Sequence, residues 1–115
     1  MSNIIETKTF RFAVRIVNLY KYLTAEKKEY ILSKQLLRSG TSIGANVSEA
    51  QKAQTKPDFY TKMSVALKEA NETFYWLRLL KETDYLTNKE FDDISADADE
   101  IVSILTAICK NTKLK

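Results

Sequence analysis

Histidine is absent from this 115-residue chain, cysteine and proline each occur once, and glycine occurs twice. Without histidine the chain lacks the commonest general base and the commonest transition-metal ligand. The Glu-x-x-His pairs by which di-iron helical bundles hold metal cannot be built. A single thiol, Cys109, excludes an intramolecular disulfide, and its apolar helical surroundings mark it as a buried, inert side chain. So few glycines and prolines cannot supply the tight turns of a β-rich fold. No apolar run approaches the ~20 residues that a membrane span needs. The opening Met1-Ser2-Asn3-Ile4-Ile5-Glu6 lacks the basic-then-apolar layout of a signal peptide, so a cytoplasmic location is expected. Neither a Gly-rich phosphate loop nor a Gly-x-Ser-x-Gly elbow is present, and neither a cofactor nor conventional enzymatic chemistry is expected.

What the chain does have is apolar residues at helical spacing. Hydrophobic residues make up 44% of the sequence, enough to fill the core of one domain spanning residues 1–115. Period and punctuation predict four helices, at about 6–23, 29–54, 57–82 and 88–110. In the third, Phe59, Met63, Ala66, Ala70, Thr73, Leu77 and Leu80 repeat at 4 and 3, the seam of near-parallel helix packing. Pro57 and Asp58 suit its first turn. Thr87-Asn88-Lys89-Glu90 matches a capping box, with Leu86 and Phe91 placed as a hydrophobic staple. The connections are short, so consecutive helices should be antiparallel neighbours. The expected fold is an all-α, antiparallel up-down four-helix bundle.

Two features exceed what one core requires. The apolar residues of the first helix cover roughly 220° of its wheel, where one packed face needs a little over ~100°. Val65, Tyr75, Trp76 and Leu79 lie on the side of the third helix away from its seam. Together with Phe12 and Ile16 of the first helix, they are the expected interface of a homo-oligomer. Gly40 and Gly44, each costing ~1 kcal/mol of helix propensity, suggest a close approach to the second helix.

Charge is unevenly distributed. Residues 1–56 carry 10 Lys/Arg against 4 Asp/Glu, a balance of +6; residues 57–115 carry 8 against 11, a balance of −3. Lys8, Arg11 and Arg15 fall on one stripe of the first helix that ends in Tyr22, and Lys34, Arg38 and Lys52 lie on the second. Such cations can meet successive phosphates, and an exposed tyrosine can stack a base, so these seven residues are the candidate nucleic-acid contacts. Asp93, Asp97 and Glu100 share a face of the fourth helix. Oxygen ligands for a hard metal would look like this, but so does a solvated acidic face, and no metal site is expected.

The second helix contains Gln35-Leu36-Leu37-Arg38-Ser39 and then Ser42-Ile43-Gly44-Ala45-Asn46-Val47-Ser48-Glu49. This resembles the pattern Q-L-x-R-S-x-x-S-I-x-x-N-I-x-E-G of a bacterial four-helix bundle family named for proteins encoded in ribosomal-RNA intervening sequences. Ala50 stands where the family has Gly, and Asp58 where it has Glu. The resemblance implies a bundle that assembles into a homopentamer, and it carries Gln35, Arg38, Ser39, Ser42, Asn46, Glu49 and Glu72 as the family's polar positions. An Arg38–Glu49 or Arg38–Glu72 contact there would hold helices or subunits in register. The family is also similar to the accessory protein of diversity-generating retroelements, which implies RNA or DNA and a nucleic-acid enzyme such as a reverse transcriptase as partners. Two readings stand together: a nucleic-acid-binding accessory oligomer, and a structural or protein-interaction scaffold without nucleic acid.

Overall fold

The computed structural model describes residues 3–112. Four helices follow one another: α1 (Ile4–Ala25), α2 (Leu32–Ala50), α3 (Lys56–Glu82) and α4 (Asn88–Thr112). Each packs on two others, α1 on α2 and α4, α3 on α2 and α4, with no close backbone approach across either diagonal. Contacts between helices run in opposite residue order. Gly40 meets Ile16 and Gly44 meets Thr9; Arg38 meets Glu72, and Lys62 meets Glu49. Neighbouring helices are therefore antiparallel, and the molecule is an up-down bundle, 45 Å long and 20–24 Å across.

Local chemistry fixes the ends. The Asn3 side chain caps α1 through the Glu6 amide. Thr55 caps α3 through Asp58, with proline in the first turn. Thr87 and Glu90 form the capping box reciprocally, at 2.9 and 3.1 Å, and Leu86 is buried beneath it. The third helix ends in a Schellman motif. Asp84 adopts the left-handed conformation (φ 69°), the Tyr85 amide reaches Leu80 C=O at 2.9 Å, and the Asp84 amide reaches Lys81 C=O at 3.1 Å.

The second helix is shorter at both ends than periodicity predicts. Lys28 turns the chain with φ 56°, and the Glu29 amide donates to Leu23 C=O at 3.0 Å. The Glu29 carboxylate then accepts from the Ile31, Leu32 and Ser33 amides at 3.1, 3.0 and 2.7 Å. Glu29 therefore precedes the helix and caps it. After Ala50 the amides of Lys52 and Ala53 reach back only three residues, so the helix tightens and stops.

The core runs the length of the bundle: Phe12, Ile16 and Leu23 from α1, Leu36, Ile43 and Val47 from α2, Met63, Leu77 and Leu80 from α3, and Ile101 and Leu105 from α4, with Cys109 buried at one end. Thr73 is fully buried in the α3 seam, where its hydroxyl meets Ser39 Oγ at 3.0 Å and Glu69 C=O at 2.8 Å.

Phe12 and Ile16, expected at an oligomer interface, are instead interior residues of the single chain. Their wheel positions coincide with those of Ile5, Thr9 and Leu23 and so face the core. The apolar excess of α1 is carried by Phe10 and Val14, which are 70% and 46% exposed.

Gly40 explains how Ile16 fits. A Cβ at Gly40 would lie 2.8 Å from two Ile16 side-chain carbons, whereas one at Gly44 would lie 3.2 Å from the Thr9 carbonyl oxygen. Overpacking a full core typically costs ~1–3 kcal/mol, and alanine returns ~1 kcal/mol of helix propensity. Gly40→Ala is therefore expected to lower stability by about 1 kcal/mol net. Urea denaturation at fixed protein concentration checks this; a stabilised variant would show that α1 and α2 are not held this close.

Candidate functional site

The six candidate cations and Tyr22 do not share one environment. On the α1/α4 face, Lys8 Nζ pairs with Glu100 at 2.9 Å. Arg15 reaches Asp93 with one guanidinium nitrogen and Asp97 with the other, each at 2.5 Å. Partial burial works against the Arg15 charge, but the hydrogen bonds and charges of Asp97 and Asp93 outweigh it and raise its pKa above the ordinary arginine value. The acidic stripe of α4 thus spends its charge on the basic stripe of α1. Such surface pairs add little stability, ~0–1 kcal/mol each, but they cancel the local positive potential. Tyr22 lies in the same groove with Arg15, Asn18, Glu90 and Asp93, its ring 6.0 Å from the Lys27 ammonium. An anionic backbone would meet carboxylates there. Among the described residues no group of three or more acidic or sulfur side chains is placed to hold a metal ion.

On the α2/α3 face, Arg38 pairs with Glu72 and Glu69, the latter at 3.3 Å, and its Nε lies 3.4 Å from Gln35 Oε1. Glu72 also accepts from Trp76 Nε1 at 3.1 Å. Glu49 pairs with Lys62 at 2.9 Å, so the family-motif arginine takes Glu72 and leaves Glu49 to α3's lysine. Ser42 and Asn46 satisfy themselves on α2, Ser42 Oγ donating to Arg38 C=O and Asn46 Nδ2 to Ser42 C=O. Arg38, Ser39, Glu49 and Glu72 therefore form a polar seam that links α2 to α3 and sets their register, whereas Gln35, Ser42 and Asn46 bond only within α2. Next to this seam Val65, Trp76 and Leu79 are half-buried, and Tyr75 is 56% exposed with its ring edge-on to Trp76 at 5.1 Å.

The remaining candidates, Arg11, Lys34 and Lys52, are exposed and make no ion pair among the described residues. Lys34 lies on the outer side of α2, whereas Lys52 lies past the helix end at Ala50, in the turn to α3 beside Glu49, Asp58 and Lys62. Lys34 shares the outer side of α2 with Thr41, Ala45 and Ser48. Those residues, with Phe10 and Arg11 of α1, line a groove of about 590 Å³ between the two helices. Lys21, which sequence reasoning passed over, stands on the Phe10–Val14 side of α1 and is also exposed and unpaired among the described residues. Glu6 is the one carboxylate lining this groove. The acidic residues Asp92, Asp93, Asp97, Asp99 and Glu100 all belong to α4, which lies diagonally across the bundle from α2. Arg11, Lys21 and Lys34 are thus free cations on the α1/α2 face; Lys56, Lys68 and Arg78 on α3 and Lys89 and Lys110 on the otherwise acidic α4 are also exposed without an ion pair among the described residues.

No helix among the described residues is long and apolar enough to cross a membrane. Residues 1–107 match the family model described as 23S rRNA-intervening sequence protein. The chain is also similar to the crystal structure of a protein of unknown function from the S23 ribosomal protein family of Bacteroides thetaiotaomicron VPI-5482. The two are 55% identical with a TM-score of 0.93, over 94% of this chain and 96% of that one. No curated protein matches the chain.

Proposed function

This chain belongs to the 23S rRNA-intervening sequence protein family, and on that footing we propose that it is a non-enzymatic, homo-oligomeric accessory protein that binds nucleic acid through the α1/α2 face. The observation that carries the reading is the segregation of charge. Once internal ion pairs are set aside, Arg11, Lys21 and Lys34 remain on that face, and Glu6 is the one carboxylate lining its groove. The acidic α4 would repel a phosphate backbone and so orient the particle with that face towards it. Docking is electrostatic and independent of sequence, since no helix is presented as a base-reading element. Self-association uses α3, where Val65, Tyr75, Trp76 and Leu79 offer apolar surface beyond the needs of the core. Membership in the family supports a pentamer, and a nucleic-acid enzyme such as a reverse transcriptase is the partner class it suggests. The exposed Val14 and Tyr75 favour, as a second reading, a scaffold that recruits protein alone.

Salt dependence separates the two. Three phosphate contacts on a single strand give a slope of about −2.1 in log K against log salt, an affinity loss of about 20-fold between 50 and 200 mM. Fluorescence anisotropy with labelled RNA, run alongside the particle mass, measures it. An absent interaction at 50 mM salt leaves the scaffold reading, and a salt-independent interaction removes phosphate docking.

A further inference from the structure

We propose that the α1/α2 groove takes an unpaired base of single-stranded nucleic acid, stacked on Phe10, while Arg11, Lys21 and Lys34 hold the flanking phosphates. This rests on the nucleic-acid reading above and names the substrate class of the same face. A phenyl ring that leaves 70% of its surface in water is of no use to the bundle's own packing. Phe12, two residues on, fills the core, so the fold does not depend on the outward ring.

The surroundings of Phe10 suit a planar, partly polar guest. Gly44 and Ala45 keep the groove floor flat, because larger side chains there would fill it. Thr41 already commits its hydroxyl to Leu37 C=O at 2.7 Å. The Ser48 hydroxyl makes no hydrogen bond among the described residues and is free to meet a base edge. The Glu6 carboxylate at the rim can accept from an exocyclic amino group. A carboxylate and a hydroxyl beside an exposed ring match a base better than they match the apolar ridge of a protein helix, which would need a longer continuous hydrophobic stripe. The cations lie on both helices, Arg11 lining the groove beside the ring and Lys21 and Lys34 exposed farther along α1 and α2, so a strand entering the groove meets positive charge next to the stacked base. A duplex keeps its bases stacked within the helix and offers only phosphates to this face, so the ring should discriminate between the two forms.

The test uses the full-length protein, a labelled mixed-sequence single-stranded RNA and its matched duplex, in about 50 mM salt. Phe10→Ala is expected to weaken single-strand binding about tenfold and to leave duplex binding within about twofold. Phe10→Trp, which keeps a stacking face, is expected to retain single-strand affinity. Phe10 is exposed, so both variants should keep wild-type helicity, which circular dichroism confirms. If the wild type binds RNA and Phe10→Ala leaves single-strand binding unchanged, or weakens both forms alike, the base site is wrong and the electrostatic face survives. If Phe10→Ala instead changes the particle mass, the ring belongs to a subunit interface and the proposal is overturned. If the wild type binds neither form, the base site and the nucleic-acid reading fall together.

Discussion

Replacing Glu29 with alanine is expected to lower the folding stability of the bundle by about 2 kcal/mol, with a pH dependence that identifies the cause. The Glu29 side chain is buried, 8% exposed, and three successive amides at the start of α2 point at its carboxylate. Alanine leaves these donors without a partner. Losing a helix cap costs ~0.5–2 kcal/mol, and stranding buried amides adds to it. Burial alone would push the Glu29 carboxyl up, but the Leu32, Ser33 and Ile31 amides, helped by the Ser33 hydroxyl, overcome it and pull the pKa below the usual glutamate value. A carboxyl whose folded pKa is depressed contributes stability that is complete above its unfolded pKa of ~4.3 and is lost as pH falls through the folded value. The stability gap between wild type and Glu29→Gln should therefore be constant from neutral pH down to about pH 5 and close at lower pH. Denaturant unfolding across that range at fixed protein concentration measures it. A gap that stays constant to pH 3 would show that the charge of Glu29 contributes nothing to the cap.

The same residue marks where sequence reading reached and where it stopped. The four helices were legible because each carries its apolar stripe at 3–4 spacing, and the start of α4 was legible to the residue because Thr87 and Glu90 signal within four positions of each other. The start of α2 was not, because its cap is a glutamate lying before the helix rather than the Ser, Thr, Asp or Asn that marks most N-termini. The wide apolar arc of α1 correctly indicated surplus hydrophobic surface, but an arc alone does not say which edge is outside. Only the packing of Ile16 into the notch at Gly40 places Phe12 and Ile16 within and Phe10 and Val14 without.

The charge pattern was half legible. The stripe of Lys8 and Arg15 and the stripe of Asp93, Asp97 and Glu100 were each visible in the sequence, but their pairing joins residues 78 to 92 positions apart. The up-down order that puts α4 beside α1 was the clue that the two stripes would meet. Arg38 behaves likewise: its two carboxylate partners stand 31 and 34 positions away on α3. What survives as free positive charge is a remainder, and a remainder can be read only after the partners are placed.

That remainder is the central claim, and a pair of multiple variants tests it. Arg11→Glu, Lys21→Glu and Lys34→Glu together change exposed, unpaired side chains, so the protein should keep wild-type helicity and particle mass. Six units of charge change on the docking face are expected to weaken RNA binding at about 50 mM salt by more than 100-fold. The matched variant, Lys8→Ala with Arg15→Ala, removes cations whose charge α4 already cancels, and it is expected to bind within about twofold of wild type. Anisotropy on the two variants side by side is the measurement. Near-total loss in the first and near-wild-type binding in the second is the result predicted here; loss in the second with binding intact in the first would place the contact on the α1/α4 face and contradict the account.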